Sequence, residues 1–220
     1  MQQIINVYKP KGPTSRQVLN QIGRSTGVKK IGHAGTLDPL AEGVLVVALG
    51  REATKKLGDT VKKEKCYEAE ITLGAYSETD DAEGPITVKY NCNLPPADTI
   101  KTILESFIGQ HEQTPPIFSA VKIKGIRAYK LARRGRRRQL KARVIKIKKI
   151  KLISYHWPMI KIKITTGPGV YVRSLARDLG EKLGTGAYLS GLKRVRVGQY
   201  KIEDAILPEK AAELIRPAIK

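Results

Sequence analysis

A chain of 220 residues, 41% of them apolar, can bury one large core or two smaller ones and is too apolar for a disordered tail. Its 41 Lys and Arg against 20 Asp and Glu leave a net charge of +21, a self-repulsion that points to a polyanion, nucleic acid before anionic membrane. Two cysteines, Cys66 and Cys92, exclude a disulfide framework, and His33, His111 and His156 lack metal-ligand spacing. With no apolar run of membrane-spanning length and no signal-peptide pattern, the expectation is a soluble cytoplasmic protein without metal.

Residues 4–8 read as a short strand, stopped by the turn sequence Lys9-Pro10-Lys11-Gly12-Pro13. Thr14 or Ser15 can cap a helix with Val18, Leu19 and Ile22 on one face and Gly27 at its end. Residues 32–43 follow neither period and read as a loop, backed by the apolar run 44–49, a buried strand. Tyr67, Ala69, Ile71 and Leu73 alternate with polar residues as a half-buried strand, and residues 77–85 form an acidic loop. Asp98 or Thr99 is placed to cap a helix carrying Ile100, Ile103, Leu104, Phe107 and Ile108, closing at Gly109. Apolar alternation over 144–153 slips phase at Lys148-Lys149, where a bulge is expected, and 159–165 alternates cleanly. Val172, Leu175, Ala176, Leu179 and Leu183 have helical spacing up to Gly184, and 195–202 reads as a short strand or turn. No repeat or low-complexity linker is present. The pattern predicts a mixed α/β fold, its sheet mainly antiparallel and flanked by helices.

The densest positive charge is Arg133, Arg134, Arg136, Arg137 and Arg138, followed by Lys141 and Arg143. A charge run is ordinarily a solvated loop. This one has a single sign and no acidic counterpart of equal density, and Lys146, Lys148, Lys149 and Lys151 extend it. Phosphate contact is the better reading, because each neutralised phosphate releases counterions whatever the base sequence. Such a segment grips backbone and does not read bases.

Gly32-His33-Ala34-Gly35-Thr36-Leu37-Asp38-Pro39-Leu40-Ala41-Glu42-Gly43 is the segment richest in chemistry. Its glycines allow close backbone approach to a ligand, and Pro39 fixes its own φ while biasing Asp38 towards extended geometry. His33 and Asp38 suggest part of a hydrolytic triad, but no third member can be named. By itself, Asp38-Pro39 reads first as a turn capped by an Asx bond.

That segment resembles the catalytic motif of the bacterial tRNA pseudouridine-55 synthases, the TruB family. Four further stretches resemble the family in order: Val7-Tyr8-Lys9-Pro10-Lys11-Gly12, Lys65-Cys66-Tyr67-Glu68, residues 116–122, and Gly169-Val170-Tyr171-Val172-Arg173-Ser174-Leu175 with Asp178-Leu179-Gly180. Leu40-Ala41-Glu42 is closer to the stand-alone bacterial enzymes than to guide-RNA-dependent relatives. The resemblance implies a pseudouridine synthase catalytic domain over 1–220, with residues 119–143 as a basic thumb and no room for a complete C-terminal PUA domain.

It also implies isomerisation of a T-loop uridine of tRNA, position 55, without cofactor, guide RNA or protein partner, by a monomer. Asp38 takes the catalytic role, by attack on C1′ or by removal of a sugar proton. Arg173 pairs with that carboxylate, and Tyr67 stacks on the flipped uracil. His33 fills the space the uridine vacates, Tyr171 and Leu192 line the base pocket, and Lys9 belongs with these through the N-terminal motif. The thumb arginines take RNA backbone. The alternative from another class is a basic RNA-binding or RNA-chaperone protein with a vestigial pocket.

Overall fold

A computed structural model describes residues 3–90, 92–123, 125–132, 134–135 and 140–214. In chain order these form β1 (Gln3–Lys9), α1 (Ser15–Thr26), β2 (Ile31–His33), β3 (Ala41–Leu49), α2 (Arg51–Val61), β4 (Lys65–Leu73), β5 (Ala75–Ser77), β6 (Ile86–Val88) and α3 (Ala97–Glu105). There follow β7 (Gly109–Gln113), β8 (Lys122–Ile123), β9 (Ile126–Arg127), α4 (Ala128–Ala132), β10 (Arg143–His156), β11 (Met159–Thr166), α5 (Val172–Leu183), β12 (Ala187–Val197) and β13 (Tyr200–Lys201). They fall into two compact units, the first holding the described residues up to Glu68 and from Leu192, the second Ala69–Gly191. The mixed α/β expectation holds.

In the first unit β3 is the spine. β1 runs antiparallel along it from Gln3↔Leu49 to Lys9↔Gly43, while β12 joins in parallel at Ala41–Gly43 and β2 antiparallel at Val47–Leu49. Because side chains alternate, Leu45, Val47 and Leu49 pack with Val18, Leu19 and Ile22 of α1. Val44, Val46 and Ala48 pack with Ala53 and Leu57 of α2. Burial on both faces explains the unbroken apolar run, each large side chain contributing roughly 1.5–3 kcal/mol. The strand starts at Ala41, not Val44, so the loop is shorter than expected and His33 belongs to β2. Gly43 (φ +104°) is required there, since a Cβ would lie 2.3 Å from the Arg194 carbonyl oxygen.

Thr14, rather than Ser15, caps α1: its hydroxyl accepts from the Gln17 amide while Gln17 reaches back to the Thr14 amide, a capping box, and Gly27 closes the helix in the left-handed region. Helix α2 has no counterpart in the sequence reading, its only buried apolar side chains being Ala53 and Leu57.

In the second unit β10 lies between β11 and β7, both antiparallel. Its register shifts between Ile147 and Lys149, the expected bulge, and again between Leu152 and Ser154. Helix α3 packs on β10 and α5. The expected cap at Asp98 or Thr99 is corrected to Pro96, which makes no side-chain cap bond; α3 stops at Glu105, and Gly109 opens β7 instead of closing the helix. Helix α5 ends at Gly184 in the left-handed region, as its spacing predicts. Residues 195–202, read as a short strand or turn, hold the end of β12 (Ala187–Val197), a turn at Gly198-Gln199 and β13 (Tyr200–Lys201).

Candidate active site

The loop between β2 and β3 is pinned from several sides within the first unit. The Ala34 amide donates to the Val46 carbonyl at 2.9 Å, and the Gly12 amide donates to that of Pro39 at 2.8 Å. The Ser15 hydroxyl donates to the Leu37 carbonyl and accepts from the Leu37 amide, 2.9 Å each. Lys9 is fully buried, its ammonium donating to the carbonyls of Ala41 at 2.6 Å and Pro10 at 3.0 Å and reaching that of Pro39 at 3.5 Å. Lys9 therefore acts on the backbone that carries Asp38, and Ser15, passed over as an alternative cap, fixes the residue just before it.

Leu37 and Leu40 are buried on either side, leaving Asp38 half-buried between two apolar anchors, with its own carbonyl accepting from the Ala41 amide at 3.0 Å. A carboxylate mounted on a segment cross-linked on both sides of it is pre-positioned, which is what a catalytic group needs.

Arg194 is the residue sequence reasoning missed. It is 1% exposed, donating from Nε to the Val44 carbonyl at 2.8 Å and from Nη2 to the Gly35 carbonyl at 2.9 Å. Its guanidinium also bonds the Tyr67 side chain and feels the Asp38 carboxylate; burial pulls its pKa down, and those two groups oppose the shift. An arginine nevertheless stays charged, so a fixed cation lies beside Asp38 and Tyr67. The segment Leu192-Lys193-Arg194-Val195-Arg196 gave no hint, because an arginine in a strand ordinarily reads as solvent-facing. Lys65 belongs to the same neighbourhood. It is 7% exposed, donates to the carbonyls of Val61 and Lys63 at 2.8 Å, and its pKa falls to about 8, chiefly through burial and then through Arg194.

Tyr67 is buried on β4, and Leu192 is half-buried and paired with Ala41, three residues from Asp38. His33 sits on β2 opposite Val47, with Nδ1 buried and without a hydrogen-bond partner. Burial, then Arg194 and Arg16, lower its pKa, against a backbone hydrogen bond with Gly35. It is held neutral near pH 7.

The second unit carries the other expected residues. Arg173, in the first turn of α5, lies 3.3 Å from Asp81 and donates to the carbonyls of Thr79 at 3.2 Å and Phe118 at 3.0 Å. Asp81 is 1% exposed and accepts from the Thr79 hydroxyl at 2.5 Å and the Glu83 amide at 3.0 Å. One turn along, Arg177 pairs with Asp80 and Asp178 at 2.8 Å each. Burial raises the Asp80 pKa, opposed first by Arg177. Acidic residues 77–85 thus grip α5, a role their solvated appearance concealed. Tyr171 stands at the N-cap, its backbone amide and carbonyl both bonded by Gln113, at 2.9 and 3.1 Å. Arg134 is exposed just beyond α4, whereas Arg133, Arg136, Arg137 and Arg138 lie outside the described residues. Among the described residues no helix is long and apolar enough to cross a membrane.

The family profile described as "TruB family pseudouridylate synthase (N terminal domain)" matches residues 23–172. The chain belongs to the TruB family. A second profile, "tRNA pseudouridylate synthase B C-terminal domain", matches residues 173–214. This TruB-family chain is similar to the tRNA pseudouridine synthase B of Phocaeicola vulgatus, 42% identical over 217 residues, 96% of this chain and 92% of that protein. It is also similar to that of Syntrophotalea carbinolica, 41% identical over 99% of this chain and 70% of that protein.

Among solved structures, a chain from the crystal structure of a Cbf5-Nop10-Gar1 complex superposes with a TM-score of 0.69 at 32% identity, over 90% of this chain and 49% of that one. A chain from an H/ACA RNP bound to a substrate RNA containing 2'-deoxyuridine gives a TM-score of 0.71 at 27% identity, over 96% and 52%. The TruB-family chain spans about half the length of those two. It is a pseudouridine synthase, an enzyme that isomerises uridine.

Proposed function

We propose that this enzyme converts the uridine at position 55, in the T-loop of tRNA, into pseudouridine, with Asp38 as the group that acts on the sugar. The observation that carries the reading is the mounting of Asp38: a half-buried carboxylate on a cross-linked loop, beside the buried cation of Arg194. Similarity to proteins named tRNA pseudouridine synthase B supports tRNA as the substrate.

In this reaction the C1′–N1 bond breaks, the uracil turns, and C5 bonds to C1′; the C5 proton leaves and N1 takes one up, so no redox partner enters. Positive charge grows on the sugar as the bond stretches, and a fixed carboxylate stabilises it. Either covalent attack on C1′ or abstraction of a sugar proton suits Asp38 there. The base must first leave its stack. Tyr67 offers a ring for the extruded uracil, and His33, held neutral, suits the space the nucleotide leaves. Leu192, Tyr171 and Arg173 are assigned to the same reaction on the resemblance of their motifs, with Arg173 as the carboxylate's partner. Lys9 positions the loop. We assign one catalytic domain to the chain, RNA backbone to the arginines of 133–138, and action as a cytoplasmic monomer without guide RNA.

Mapping pseudouridine in unmodified tRNA incubated with the enzyme tests the reading. Modification confined to position 55 is expected. Tight binding with no conversion would instead support an RNA-binding protein with a vestigial pocket, and modification elsewhere would overturn the T-loop assignment.

A further inference from the structure

The β10–β11 hairpin of the second unit has two unlike faces. Ile145, Ile147 and Ile150 on β10, with Ile160, Ile162 and Ile164 on β11, are buried. Lys146, Lys149 and Lys151 on β10, with Lys161 and Lys163 on β11, are exposed. A strict two-residue period from Ile145 would have driven Lys149 and Lys151 into the core. The register shift between Ile147 and Lys149 absorbs Lys148, returns Ile150 inward, and turns Lys149 and Lys151 to solvent. The bulge that keeps the core apolar is therefore also what lines up the lysines.

Pairing sets Lys151 directly across from Lys163 and Lys149 across from Thr165. Glu70 is engaged by Lys161 at 2.8 Å, and Glu112 stands across from Val144. Among the described residues, Lys146, Lys149 and Lys151 form no ion pair. Same-face neighbours along a strand are roughly 6–7 Å apart, so these ammonium groups make a row of point charges on a rigid element. Such a row suits a phosphate chain and carries no means of reading bases.

We propose that this face is an RNA-backbone dock in its own right, built from residues outside the Asp38 loop and following the basic segment 119–143 in sequence, in which Lys146, Lys149 and Lys151 take phosphates of the tRNA. The identity of the RNA rests on the proposed function; the presence of the dock does not. It adds affinity and leaves the chemical step alone.

The test uses the full chain with Lys146→Gln, Lys149→Gln and Lys151→Gln combined, and the Kd for tRNA measured across roughly 50–300 mM salt. At about 0.9 per phosphate contact, the slope of log Kd against log salt should fall by about 2 to 3. At saturating tRNA, kcat should stay within about twofold, since binding shared equally by ground and transition states does not enter kcat. A control with Lys56→Gln, Lys201→Gln and Lys210→Gln removes the same charge from exposed positions elsewhere and should leave the slope within about one contact's worth. An unchanged slope in the first variant overturns the dock, as does an equal fall in both. A wild-type chain that binds with the steep slope but forms no pseudouridine would sink the isomerase reading and leave the dock standing.

Discussion

In the first unit Lys9, Lys65 and Arg194 aim buried cations at backbone carbonyls, whereas in the second unit Arg173 and Arg177 aim theirs at the carboxylates of Asp81, Asp80 and Asp178. A carbonyl binds a cation without cancelling its charge; a carboxylate cancels it. The buried cation of Arg194 therefore contributes a positive field around the Asp38 loop, which favours an approaching polyanion. The acidic loop and α5 are cross-linked through these pairs.

The contrast breaks most visibly at Asp81. Asp81→Ala removes the buried anion 3.3 Å from Arg173, and chemical denaturation should register a loss of about 3 kcal/mol. A loss under about 1 kcal/mol would mean that the cluster is not a cross-link. Arg194→Met comes next, leaving the Gly35 and Val44 carbonyls and the Tyr67 hydroxyl without their donor while removing a buried cation. The net cost should be about 2 kcal/mol, accompanied by a fall in kcat that Arg194→Lys partly restores. Full activity in Arg194→Met would remove that cation from the account of Asp38.

Burial of Lys65 makes stability depend on pH. Its folded pKa of about 8 lies below the ordinary 10.5, so between those values the unfolded chain binds the extra proton and stability rises with pH. Allowing for solvent screening, the gain from pH 8 to 10.5 should be about 1–2 kcal/mol, and it should vanish in Lys65→Met. A pH dependence identical in both proteins would contradict the burial argument. Smallest is Thr14→Ala, expected to cost about 1 kcal/mol in thermal or chemical unfolding through the lost cap. No measurable change would show that Ser15 and the packing of α1 hold the helix without it.

What the sequence disclosed follows these same lines. Helix α1 was legible because its cap, its apolar stripe and Gly27 are all local signals, and the bulge at Lys148 showed itself as a slipped period. Helix α2 was hidden because Ala53 and Leu57 make too thin a stripe, and the end of α3 was misplaced because Phe107 and Ile108 continue an apolar pattern after the helix has stopped. Asp38 stood out by resemblance to a family motif, since Asp-Pro alone reads first as a turn. Arg194 and Asp81 were invisible for one physical reason: a charged residue reads as solvent-facing, and only the fold reveals that carbonyls or an opposite charge await it inside.

We assign sugar–base cleavage to one carboxylate, that of Asp38. Release of tritium from C5-labelled uridine in unmodified tRNA measures it directly. The wild-type chain should release label at position 55, while Asp38→Asn should bind the same tRNA within a few-fold and release it at least about 10³-fold more slowly. Release by Asp38→Asn at near the wild-type rate would contradict the assignment.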